Sequence, residues 1–239
     1  MRVTLLALEH VTKRYTSGQR ETVALDDVSL EVDAGECVAV HGLRRSGRTT
    51  LLRIAAGILP LDEGEARFDG RRLRDAAAHA LGVEIGWCSP RFDPAHGGSV
   101  LDHVAVALLA RGAGRTRARG QALASLERAG ASGLAGYDPR ELHADELIRA
   151  GIARALVTSP RLLLLDEPTT GVEVRQRDAL LALLRTLAGA GTAVLMTVGE
   201  AVAGPDRVLA LDAGRLRADG ARGRPLVLPL RARRAEPVA

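Results

Sequence analysis

Four consecutive leucines, Leu162–Leu165, run without interruption into Asp166, Glu167 and Pro168. A short apolar run with no alternation is buried on both faces, which is the signature of a central strand in a parallel sheet. Such a sheet needs crossover helices, and open α/β sheets bind ligands beyond the carboxyl ends of their strands. The two acids stand at that edge. Asp166 is the candidate for organising Mg²⁺, and Glu167 for polarising an attacking water. Two merely solvated acids at a strand end would not account for the phosphate-loop pattern that lies upstream.

That pattern is Gly42-Leu43-Arg44-Arg45-Ser46-Gly47-Arg48-Thr49, which follows the apolar run Cys37–Val40 and opens a helix. It matches G-x-x-x-x-G-K-[ST] with arginine at the lysine position. Successive backbone N–H groups and the helix N-terminus make an anion site of such a loop. The candidate nucleotide-binding residues are therefore Gly42, Arg45, Ser46, Gly47, Arg48, Thr49 and Thr50, with the Thr49 hydroxyl also expected on Mg²⁺. Arg48 keeps the positive charge and is expected at the β/γ end of a bound nucleotide. It is a broad planar fork, however, where a compact ammonium threads the loop. Arg45 stands where a small residue would let the backbone approach phosphate. Read alone, the loop is only moderately specific, the alternative being a glycine turn before an ordinary helix.

The rest of the chain alternates strands with helices. Strand-like alternation fills Leu5–Tyr15 and Val23–Val32 around a turn at Thr16–Gln19. Thr49–Gly57 reads as a helix, and Glu65–Phe68 and Glu84–Cys88 as strands. Ser99 to about Leu134 reads as an inserted helical lobe with a Gly/Arg-rich break at Gly112–Gly120. A helix at Ala144–Ser159, ended by Pro160, leads to the leucine strand. Arg175–Ala188 reads as a helix, followed by strands at Ala193–Thr197, Arg207–Asp212 and Arg215–Asp219. The expected fold class is α/β, a mostly parallel sheet with helices on both faces and an N-terminal antiparallel part.

Composition removes several alternatives. With 239 residues, 46% of them hydrophobic, the chain can bury one large core. No apolar run approaches the roughly 18–20 residues of a membrane span. The N-terminus lacks a signal-peptide pattern, so a cytoplasmic chain that reaches the membrane through partners is expected. The net charge of +4 does not imply nucleic acid. Lys13 is the only lysine, the arginines are scattered, and few aromatics lie between them. Cys37 and Cys88 both sit in strand-like segments and are expected to be buried free thiols.

With both nucleotide motifs in order, the chain resembles the ATP-binding subunits of ATP-binding-cassette (ABC) transporters over nearly its whole length. Tyr15, ahead of Ala24–Leu30, looks like the family aromatic that stacks on adenine. Gly151–Leu156 resembles the helix after the family signature, and Asp206–Val208 with Asp212–Arg215 its closing strands. The segment between Tyr15 and Ala24 looks most like the lipoprotein-releasing, cell-division and macrolide-exporter branch. The resemblance implies a P-loop NTPase core over residues 1–220, with a helical subdomain of about 92–148 inserted. Residues 221–239 would form a loose Arg/Pro-rich tail.

Several family positions differ here. The Leu-Ser-Gly-Gly-Gln/Glu signature, which caps ATP held by the opposite subunit, aligns with Leu142-His143-Ala144-Asp145-Glu146. The hydroxyl is gone and Asp145 would face triphosphate with like charge. The glutamine that senses Mg²⁺ and the membrane subunit aligns with Pro90, which has no side-chain donor or acceptor. The switch histidine aligns with Val198, and the aspartate of the loop crossing the dimer interface with Glu173. The resemblance therefore implies ATP and Mg²⁺ as ligands and membrane-spanning subunits as partners. The departures favour a non-hydrolysing subunit paired with a complete second subunit, a heterodimer, on the inner face of the cell membrane. The alternative is an active ATPase working as a homodimer. An unrelated P-loop kinase or switch protein would leave the Gly151–Thr169 run unexplained.

Overall fold

The computed structural model describes residues 3–18, 20–75, 84–89 and 97–217. Gln19, Pro90 and the tail 221–239, all singled out above, lie outside the described residues. Strands β1 (Thr4–Ser17) and β2 (Arg20–Asp33) form a long antiparallel hairpin, and β3 (Cys37–His41) leads into α1 (Arg48–Ala55). Strands β4 (Glu63–Phe68), β5 (Arg71–Arg72) and β6 (Ile85–Cys88) follow. Helices α2 (Val100–Leu109), α3 (Arg115–Arg128) and α4 (Ala144–Leu156) come before β7 (Leu162–Asp166). Helix α5 (Val174–Gly189) and strands β8 (Ala193–Val198), β9 (Arg207–Asp212) and β10 (Arg215–Arg217) complete the described order.

The main sheet has the order β10-β9-β3-β8-β7-β6, parallel except for the terminal β9–β10 hairpin. A smaller antiparallel sheet has the order β2-β1-β4-β5. The leucine strand sits between β8 and β6, and all five of its residues are buried. Because side chains alternate across a sheet, its leucines divide between two cores. Leu163 and Leu165 pack with helices α2–α5 on one face, joined by Cys37, Ala39, Val194 and Met196. Leu162 and Leu164 pack on the other face with α1 and the antiparallel sheet, joined by Val38, Val40 and Leu195. The parallel sheet is thus covered on both faces, and the N-terminal antiparallel part is one of the covers.

The helix boundaries follow local chemistry. Helix α2 starts at a capping box in which the Asp102 N–H donates to Ser99 Oγ (3.3 Å) and the Ser99 N–H to Asp102 Oδ2 (3.2 Å). The Gly/Arg-rich break is shorter than the sequence suggests. Helix α3 begins at Arg115, because Ala118, Ala122 and Leu126 form a buried stripe that outweighs the exposed Gly120. Helix α4 ends at Leu156, short of Pro160. Among the described residues no helix is long and apolar enough to cross a membrane.

Both cysteines are free and buried, and burial pushes each thiol up to about 12. The raised value keeps them protonated, so neither should react with a disulfide reagent at pH 8 while the chain is folded. Both should react in denaturant, and fast labelling of the native protein would contradict this packing. Leu164→Ala should lower the unfolding free energy by about 2–5 kcal/mol in urea titrations. Leu123→Ala, on a side chain 48% exposed, should change it by less than about 0.5 kcal/mol.

Candidate functional site

The parallel register brings three strand ends to one edge. His41 lies opposite Val198 in the β3–β8 pair, and Asp166 lies opposite Thr197 in the β7–β8 pair. The Gly42–Thr49 loop leaves β3 at this edge, and Glu167 follows β7 directly. The acids and the loop, far apart in sequence, therefore meet.

The loop is clamped from two sides. A Cβ on Gly47 would lie 2.1 Å from the Ala24 carbonyl oxygen of β2, and one on Gly42 would lie 2.2 Å from the Leu211 carbonyl oxygen of β9. Neither position admits a side chain. Ala213 and Gly214 both have positive φ, 47° and 80°, in the two-residue turn of the β9–β10 hairpin. From that turn the Gly214 N–H donates to the Ser46 carbonyl (3.1 Å), fixing the loop from below. Arg45 is held at φ 67°, a left-handed backbone that glycine adopts at less cost. Its side chain is exposed. Ser46 Oγ is buried without a hydrogen-bond partner. The N-terminus of α1, where the first backbone N–H groups have no intrahelical acceptors, opens at Arg48, Thr49 and Thr50.

Asp166 is held by two hydroxyls. Thr197 Oγ1 donates to its Oδ1 (2.7 Å) and Thr49 Oγ1 donates to its Oδ2 (3.0 Å). A threonine hydroxyl and a carboxylate in contact at a helix N-terminus are hard oxygen donors suited to Mg²⁺. Glu167 takes φ 51°, a backbone turn that an L-residue adopts only when surroundings impose it. Its N–H is anchored on the Thr197 carbonyl and hydroxyl oxygens, both at 3.1 Å.

The Arg48 side chain lies where the sequence did not lead. It spans from α1 to the acidic edge and is only 7% exposed. Its Nη2 donates to Glu167 Oε1 (2.5 Å), and its Nη1 donates to the Val198 carbonyl oxygen. The other Glu167 oxygen, Oε2, accepts from Thr170 Oγ1 (2.9 Å). Both Glu167 oxygens and both Arg48 terminal nitrogens are thereby engaged with protein groups. The Val198 side chain is fully buried in the core beneath helices α2–α5.

The remaining candidates stand on other elements. Tyr15 on β1 is 41% exposed, and its hydroxyl lies 3.4 Å from Thr50 Oγ1. Lys13 stands 5.8 Å from the centre of its ring. His143 and Ala144 are exposed at the start of α4, with Asp145 half-buried behind them. A Cβ on Gly171 would come within 3.9 Å of the Ala144 methyl, so the segment after Glu167 approaches this helix end. Glu146 reaches back to accept the His143 N–H (2.9 Å). Asp145 and Glu146 together place two acids in the first turn, opposing the positive end of the helix dipole. Glu173 is exposed at the N-cap of α5 and makes no side-chain cap bond.

The sequence reading missed the contacts made by Thr197 and Thr170 and the capping role of Glu146. Thr197 becomes visible only when β7 and β8 are paired, whereas Thr170 meets Glu167 three residues away through the turn that follows β7. Glu146 had a local signal, an acid three residues after a helix start, hidden because histidine stands at the cap.

Comparison with known proteins agrees with this architecture. An ABC transporter family model matches residues 25–170. The chain is 36% identical to the lipoprotein-releasing system ATP-binding protein LolD of Chromohalobacter salexigens, covering 90% of this chain and 94% of that one. It is 32% identical to the macrolide export ATP-binding/permease protein MacB of Burkholderia thailandensis, covering 90% of this chain but only 34% of that longer protein. Among solved structures, the dimeric cassette MJ0796 in a post-hydrolysis state with ADP and phosphate superposes with a TM-score of 0.78 at 26% identity, covering 90% of this chain and 98% of that one. The chain shares the α/β fold of the solved cassette, and it belongs to the ABC transporter family as a nucleotide-binding cassette.

Proposed function

We propose that this chain is a nucleotide-binding subunit of an ABC transporter that does not hydrolyse ATP itself. In this reading it works beside a complete ATPase subunit and membrane-spanning subunits, on the inner face of the membrane. The observation that carries it is the Arg48–Glu167 ion pair. A general base must present a free carboxylate oxygen to the attacking water. Here one Glu167 oxygen is bonded to a buried guanidinium and the other to Thr170.

Three further features support the same reading. Arg48, which stands for the phosphate-loop lysine, is drawn away from the loop. Val198, at the switch position, offers a buried apolar side chain and a carbonyl already engaged. The helix end at His143–Glu146, which in the family would face the partner's nucleotide, is capped from within by Glu146 and made negative by Asp145. Such an end repels phosphate rather than receiving it. In a homodimer both composite sites would carry these defects, so a heterodimer with an intact partner fits better.

In the bound state, Tyr15 would stack on the base and the Gly42–Thr49 backbone would hold the phosphates. Thr49 and Asp166 would hold Mg²⁺, whose contribution is to neutralise charge between phosphate oxygens.

Phosphate release by the purified chain with Mg-ATP should stay at the level of a Glu167→Gln control. Turnover that Glu167→Gln abolishes would establish the active-ATPase alternative. A double-mutant cycle of Arg48→Ala and Glu167→Ala, read by urea unfolding, should show a coupling of about 1–3 kcal/mol. A coupling within about 0.3 kcal/mol of zero would remove the ion pair from the account.

A further inference from the structure

The contact made by Arg48 has a consequence for which nucleotide the loop retains. In a loop of this pattern the backbone N–H groups cradle the α- and β-phosphates, and the side chain at the lysine position serves the β/γ end. The first group of contacts is intact here. The loop backbone is fixed by Ala24, Leu211 and Gly214, and α1 opens its N-terminus at Thr49 and Thr50. The second is diverted. The guanidinium is bonded to Glu167 Oε1 and to the Val198 carbonyl, in the gap between α1 and the ends of β7 and β8.

We infer that this clasp makes the site selective for a nucleoside diphosphate over the corresponding triphosphate. The inference rests on the proposed nucleotide-binding role of the Gly42–Thr49 loop. A diphosphate needs the backbone cradle and leaves the clasp closed. A third phosphoryl group must enter beside Glu167 and the Val198 carbonyl oxygen, both of negative character. It gains Arg48 only by taking it from Glu167, so one ion pair is exchanged for another and a carboxylate is left unpaired next to the added charge. Val198 contributes no donor to offset that loss. Arg48 and Glu167 act here as specificity-determining residues, with no bond made or broken in the ligand.

The test is calorimetric titration of the full chain with Mg-ADP and with the β,γ-imido analogue of Mg-ATP, which resists hydrolysis. The wild type should bind the diphosphate at least tenfold more tightly. Arg48→Lys, whose compact ammonium can return to the loop, should reduce that ratio at least fivefold by strengthening triphosphate binding. Glu167→Gln should shift the ratio in the same direction, with thermal melting used to confirm that both variants are folded. Equal or tighter triphosphate binding by the wild type would overturn the selectivity while leaving the nucleotide-binding role intact. A ratio unchanged in both folded variants would also overturn it. Binding of neither nucleotide would overturn both the selectivity and the role from which it follows.

Discussion

The parallel pairing of β3, β8 and β7 is the constraint on which the rest of the site depends. It sets Asp166 opposite Thr197 and His41 opposite Val198, so three strand ends finish at one level. That level is fixed by burial. The alternate leucines of β7 divide between two cores, and a slip of one residue would send each to the wrong face. The phosphate loop leaves this edge and is held against β2 and the β9–β10 turn. The clamp is tight enough that Gly42 and Gly47 have no room for a side chain. The sheet therefore delivers a rigid loop and two carboxylates to one place before any side chain chooses a partner.

On that frame a single substitution changes what the carboxylates can do. Arginine has the reach and the planar fork to bond a carboxylate and a backbone carbonyl at once, and Arg48 does both. Asp166 keeps its contacts with Thr49 and Thr197, while both Glu167 oxygens are bonded to Arg48 and Thr170, which in the proposed reading takes Glu167 out of the pool of bases. In the proposed reading, the helix end that would face a partner's nucleotide is altered in the same sense. Glu146 closes the helix end at His143, and Asp145 adds charge of the wrong sign. Loop and helix end are separate features of the chain, and in the proposed reading both disfavour triphosphate chemistry.

Much of this was legible in the amino-acid sequence, because burial and spacing leave marks there. The Leu162–Leu165 run, the Gly42–Thr49 loop and the alternation of β1 and β2 are visible because one physical cause, a buried face or a tight turn, dominates each. Strand β5 is not visible. Its two residues, Arg71 and Arg72, are exposed and pair only with the end of β4. The start of α3 was misplaced because glycines were read as a break, while the buried stripe of Ala118, Ala122 and Leu126 decided the matter. The direction of Arg48 was beyond reach, since its partners lie 119 and 150 positions away. Residue type announced the substitution, but only the assembled sheet shows what the guanidinium touches.

The central claim is that Arg48 holds Glu167 in the folded chain, and nitrogen NMR of arginine-labelled protein addresses it most directly. A clasped, buried guanidinium rotates and exchanges slowly, so Arg48 should give resolved Nη resonances that persist near neutral pH. Those resonances should collapse to the averaged position of exposed arginines in Glu167→Gln. An Arg48 signal already averaged in the wild type, or one unchanged by removal of the Glu167 charge, would contradict the account.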